Sequence, residues 1–180
     1  MAILLFTGSF SAIAQKKKEP VNRILFIFDA SQSMLGRWQS GRKIDIAKNL
    51  LSNMVDSLKD IENLEIGLRV YGHQKGYPPQ DCDDTKLEIN FLPANMAADR
   101  MKAKLSMIRA RGTTPIAHSL EEGAKDFPSG DARNIVILIT DSISFPWYSS
   151  KTIQSKASNL AVRLPIGNTS SIEPSICFWL

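Results

Sequence analysis

The chain has 180 residues, enough for one domain with its own hydrophobic core. Its 43% hydrophobic and 22% charged residues are ordinary for a globular protein. The net charge of +4 is a mild excess, and its densest run, Lys16-Lys17-Lys18, lies outside any predicted element. That run reads as a solvated tail, and no later stretch interleaves Arg or Lys with aromatics, so no nucleic-acid partner is expected.

Residues 3–6 and 10–14 form a short apolar segment of signal-peptide length, too short to span a bilayer. Ala12-Ile13-Ala14 fits the small-x-small cleavage pattern, so 1–14 reads as a signal peptide, Gln15 as the mature start and 15–21 as a linker. No Lys or Arg follows Met1, so either the true start lies upstream or the export signal is weak. No later segment is long enough for a transmembrane helix. The expected location is therefore the periplasm or the cell exterior.

Residues 23–29 are a continuous apolar run ending in Asp29, as in a strand buried on both faces of a parallel sheet. After a loop over 30–41, the spacing of Ile44, Ala47, Leu51, Met54 and Leu58 predicts a helix over about 43–58, begun by Ser40 or Gly41. Residues 64–71 alternate, with Glu65, Gly67 and Arg69 on the wetter face. Residues 72–85 are rich in Gly, Pro and Asp and read as a loop, and 86–92 alternate again. No helix fits between these two strands, so they are expected to pair antiparallel. Asn95 can cap a helix running to about Arg109. Pro115, with Thr114 as cap, opens another that runs to about Lys125. Residues 134–141 form a second doubly buried strand, also ending in aspartate.

This order argues for an open α/β sheet covered by helices on both faces, with ligands at the carboxyl ends of its strands, where Asp29 and Asp141 fall. The remainder, 142–180, is rich in Ser, Thr and Asn with scattered aromatics; within it 160–166 could form a strand.

Asp29-Ala30-Ser31-Gln32-Ser33 directly follows the first buried strand. Alternate spacing lets 29, 31 and 33 point inward from one loop and offer a carboxylate and two hydroxyls. Thr114 and Asp141 can converge from two other turns. Such hard oxygen donors suit Mg2+, Mn2+ or Ca2+. Uncharged hydroxyl ligands leave the ion electrophilic, which favours a carboxylate from a partner in an open coordination position. Ser31 and Ser33 have no histidine nearby in sequence, and His73 and His118 lack paired carboxylates, so no activated nucleophile is expected. Both histidines read as surface or packing residues.

Here the chain resembles the von Willebrand factor type A (vWA) family. The resemblance is carried by Asp29-x-Ser31-x-Ser33, by Gly112-Thr113-Thr114-Pro115 and by Thr140-Asp141. It spans 23–141 and includes the antiparallel edge strand expected of that family. It implies a three-layer, mostly parallel, Rossmann-like fold and a metal-ion-dependent adhesion site. In that site Ser31 and Ser33 would bind the cation directly, Thr114 directly or through water, and Asp29 and Asp141 largely through water. It further implies a non-enzymatic module that holds a protein ligand by an acidic side chain.

Cys82, in Gln80-Asp81-Cys82-Asp83-Asp84, gives the loop a likeness to a bacterial exported subgroup, where such a cysteine pairs with one just after the Thr-Asp motif. Here no cysteine follows Asp141 until Cys177, so that partner is missing. In an exported chain Cys82 and Cys177 could still oxidise to one disulfide. Asp81, Asp83 and Asp84 lack the ligand order of a Ca2+ loop and read as solvated.

After Asp141 the family continues with Gly, more helices and two more buried strands, but this chain has Ser142-Ile143-Ser144-Phe145-Pro146-Trp147. The vWA domain is thus expected to be incomplete, 22–141, followed by an atypical tail, 142–180, that is truncated or frameshifted. Strand 134–141 would then expose its ladder edge and favour self-association, and the loosely held loops would bind cation weakly or not at all. Two other readings compete: a structural fragment without ligand, and a haloacid-dehalogenase-like phosphatase. The latter needs a second Asp two residues after the first, where Ser31 stands.

Overall fold

A computed structural model describes residues 20–38, 41–141 and the backbone of 159–165. Strand β1 (Val21–Asp29) divides its side chains between two cores by the two-residue period of a strand. Ile24, Phe26 and Phe28 enter one apolar cluster, while Leu25 and Ile27 enter another. Strands β4 (Leu64–Tyr71) and β6 (Ala132–Thr140) flank β1, both in parallel. Strand β5 (Thr85–Pro93) pairs antiparallel with β4 at one edge, and β7 (Asn159–Pro165) pairs parallel with β6 at the other. The sheet order is β5-β4-β1-β6-β7. A short antiparallel pair, β2 (Arg37–Trp38) and β3 (Gly41–Arg42), stands apart from it.

Helices α1 (Lys43–Leu58) and α2 (Ala94–Met107) cover one face. They bury Ile44, Ala47, Leu51 and Val55, and Ala97, Ala98, Met101 and Leu105, at three- and four-residue steps. Helix α3 (Ile116–Asp126) covers the other face, laying Ile116 and Leu120 on Leu25, Ile27, Val136 and Leu138. The expected three-layer α/β architecture, mostly parallel with one antiparallel edge, is therefore present.

Several local expectations are corrected. Strand β4 has no wet face: Arg69 is 6% exposed and its guanidinium meets both Asp126 oxygens, at 2.7 and 2.8 Å. Helix α3 closes over that face, and the ion pair lets a charge lie there. Asn95 is not a cap, because α2 begins at Ala94 after Pro93. Helix α3 begins one residue later than expected, and no side chain caps it. Strand β6 is not an open edge, since β7 takes the ladder expected to be exposed for self-association. The expectation that strands after 141 are missing is corrected to the same extent. The reason is the run Asn159-Leu-Ala-Val-Arg-Leu-Pro165, whose backbone completes the pairing. The proposed signal peptide and linker up to residue 19, Cys177 and the rest of the tail lie outside the described residues.

Candidate metal site

Parallel strands end their hydrogen-bond ladders on one side of the sheet, and the loops leaving β1 and β4 meet the end of β6 there. Asp29 is the last residue of β1 and is fully buried. Its Oδ1 accepts from the Ser31 backbone N–H at 2.8 Å and from Ser31 Oγ at 2.6 Å. Its Oδ2 accepts from Thr140 Oγ1 at 2.6 Å. Ser31 Oγ lies 3.0 Å from Ser33 Oγ, and Ser33 Oγ donates to Asp141 Oδ1 at 3.0 Å. Four of the five residues singled out in the sequence thus form one continuous chain of oxygen contacts. Ser33 alone among them is part-exposed, so the cluster opens to solvent on its side.

Thr114 lies on a turn whose backbone is tied to the Ser31 loop. The Gly112 backbone bridges to Ser31 in parallel, and Gln32 N–H donates to Gly112 O at 2.8 Å. Thr114, two residues on, is fully buried, and its Oγ1 has no hydrogen-bond partner among the described residues. A buried hydroxyl left unpaired costs roughly 1–3 kcal/mol, so it calls for an explanation. An oxygen-seeking cation held at this end of the sheet would supply one. Among the described residues no three His, Cys, Asp or Glu are grouped so that they could hold a metal ion, so an ion here would be held mainly by hydroxyls and two aspartates. That donor set fits a hard divalent cation.

Electrostatics points the same way. Burial first, and then the negative charge of Asp141, push the Asp29 carboxyl up to about 6, against the lowering effect of hydrogen bonds from Ser31 and Thr140. Two carboxylates brought together in a buried place repel, and a cation between them relieves the repulsion. Tyr71 lies beside them fully buried; burial first, then Asp29, raises its pKa well above the usual range and keeps the phenol neutral.

The frame of the site is a set of loops that sequence reasoning left as solvent. Asp84 is 2% exposed. It accepts from the backbone N–H groups of Gln74 and Lys75 and from Gln74 Nε2, at 3.0–3.2 Å. The reading of 81–84 as solvated is corrected for this residue. Thr113 Oγ1 donates to Asp81 O, and Gly112 N–H donates to Gly72 O at 2.8 Å. The Arg111 guanidinium clasps His73 O and Gln74 O at 2.9 and 2.6 Å. Cys82, in the same loop, is disulfide-bonded, and the chain's other cysteine lies outside the described residues. His73 lies 3.0 Å from Glu88, which corrects the expectation that it lacks a carboxylate partner. A further residue that sequence reasoning missed is Lys43, whose Nζ lies 2.8 Å from Asp141 Oδ2. Its place at the start of a helix gives no local sign of this, because the partner is 98 residues away.

An open α/β domain with its candidate site on the carboxyl edge of the parallel strands is the class that this fold and site define. The fold is vWA-like. The chain superposes on the VWA domain of SpRpn10 with a TM-score of 0.50 at 11% identity, covering 68% of this chain and 61% of that one. An aerotolerance-related membrane protein from Bacteroides fragilis matches with a TM-score of 0.57 at 21% identity, over 76% and 62% of the two chains. The pilus adhesin SpaC from Lactobacillus rhamnosus GG matches with a TM-score of 0.55 at 19% identity, over 71% of this chain and 15% of that one. In sequence the chain is 31% identical over 147 residues to the uncharacterized protein YwmD of Bacillus subtilis. That match covers 78% of this chain and spans 62% of the relative's length. No family model matches the chain. Among the described residues no helix is long and apolar enough to cross a membrane.

Proposed function

We propose that the chain is an exported, adhesion-type binding module whose site holds one divalent cation, Mg2+ or else Mn2+ or Ca2+, through Asp29, Ser31, Ser33, Thr114 and Asp141. The observation that carries this reading is the Thr114 hydroxyl, buried without a partner two residues after Gly112, whose backbone bridges to Ser31 of the Asp29–Ser31–Ser33–Asp141 chain of contacts. When bound, the ion would supply an electrophilic position for an acidic side chain of a protein partner. The chain's own residues do the rest. Asp29 orders the Ser31 hydroxyl, and Asp141 orders that of Ser33. Part-exposed Ser33 marks the side from which a partner carboxylate could approach. The likeness to a pilus adhesin and to a VWA domain supports a binding role over a catalytic one.

Calorimetric titration with Mg2+, Mn2+ and Ca2+, beside thermal melts in EDTA and in each ion, tests the reading. One-to-one binding, a rise in melting temperature on adding the ion, and loss of both in Asp29→Ala are expected, because a ligand of the folded state stabilises it. Identical melts in EDTA and in all three ions would defeat it.

A further inference from the structure

Lys43 opens α1, where a positive charge works against the helix dipole. A lysine there ordinarily extends into water. Here its side chain is 12% exposed, and Nζ donates at 2.8 Å to Asp141, whose side chain is 1% exposed. The backbone delivers it to that position. Lys43 N–H donates to Gly36 O at 2.9 Å, and Gly36 N–H donates to Ser33 O at 3.0 Å. Lys43 Cε and Nζ pass within van der Waals reach of Gly36, 3.6 and 3.8 Å from where a Cβ would stand. The loop carrying Ser31 and Ser33 therefore also steers an ammonium onto the last carboxylate. Asp141 divides its oxygens, Oδ1 accepting from Ser33 and Oδ2 from Lys43.

We propose that Lys43 is a tethered counter-ion of this site: it holds Asp141 when no metal is bound and competes with a divalent cation for that carboxylate, thereby setting the affinity. The inference rests on the metal-binding reading above. An ammonium is a compact point charge on a flexible stem, able both to pair with a carboxylate and to withdraw. An incoming divalent cation meets this like charge where little water screens it. Removing the ammonium leaves Asp29 and Asp141 facing each other without compensation, which penalises the metal-free protein and favours the loaded one.

The test uses the full chain with Lys43→Met, Lys43→Gln and Lys43→Arg, the two neutral variants guarding against a packing artefact in either. Mg2+ affinity is measured by calorimetry. Melting in EDTA is measured for each variant alone and on an Asp141→Asn background. Both neutral variants should bind Mg2+ about tenfold or more tightly than the parent, with Lys43→Arg close to it. In EDTA they should melt lower, and that loss should vanish when Asp141 is already neutral. Unchanged or weaker Mg2+ binding by the neutral variants would overturn the competition, as would the same melting loss on both backgrounds. If no protein in the series binds Mg2+ while the Lys43–Asp141 coupling persists in EDTA, the metal-binding reading is what has failed, and the competition falls with it.

Discussion

Thr114 is placed so that one atom separates structural from ligand roles. Thr114→Val keeps the shape and deletes an unpaired hydroxyl. Melting in EDTA should stay level or rise, because removing a buried unsatisfied group is not penalised. Mg2+ affinity should fall about tenfold or more, as for other groups that hold or orient a metal. A lower melt in EDTA with unchanged Mg2+ affinity would mark the hydroxyl as structural. Asp29 gives a pH test. Its folded pKa, about 6, lies above the ordinary carboxylate value, so the metal-free folded state binds the extra proton. That contribution to stability is complete at acid pH and is lost as pH rises towards 6. The melting difference between parent and Asp29→Asn in EDTA should therefore move against the parent between about pH 4 and 6. With saturating Mg2+ the trend should reverse, since the proton and the ion compete for one carboxylate. In the sequence, residues 29 and 141 stand out because each closes a buried apolar strand, 31 and 33 by their alternate spacing after Asp29, and 114 by the proline that follows it; contacts join the first four in the structure. Lys43 and Asp84 do not stand out, because nothing local distinguishes a solvated charge from one folded inward onto a partner far away in sequence.

The connections hold the site as much as its donors do. Gly72 has φ +69°, and a Cβ there would lie 2.5 Å from Thr113 O and 2.8 Å from Ser31 Cα. Gly112 is as tight, with Lys75 O at 2.7 Å and Gly72 C at 2.9 Å from its would-be Cβ. Backbone atoms cannot move aside as a side-chain end can. Gly72→Ala should cost more than about 2 kcal/mol, shown as a lower urea midpoint, and should weaken Mg2+ binding through the displaced Ser31 and Thr113. A variant with the parent's midpoint and affinity would show that the loops yield. Strand β4 illustrates a limit of pattern reading. Glu65-Gly67-Arg69 is the alternation of a wet face, yet α3 covers it, and the partner that makes Arg69 acceptable there, Asp126, is 57 residues away. Periodicity reports what a strand offers and is blind to what arrives on top of it.

At the scale of the molecule, β7 decides whether the sheet has a sealed flank. Ending the chain at Asp141 would bare the ladder of β6, whose segment 136–139 is wholly apolar. Such a chain should self-associate where the full chain does not, measured by light scattering after size-exclusion chromatography. Equal monomer content in both would show that β7 is dispensable. The α/β architecture was readable because two long apolar strands and amphipathic helices admit few arrangements. The seventh strand was faint because seven residues in a polar tail give little periodicity to read. The β2–β3 pair touches these supports through Trp38, which packs against the main core. Its two residue pairs lie between the Ser33 turn and the start of α1, and neither strand joins the main sheet. Substitution at exposed Arg37 could therefore redraw the contour a visitor meets while leaving the oxygen cluster behind it untouched, which makes this spur the natural place for recognition to diversify.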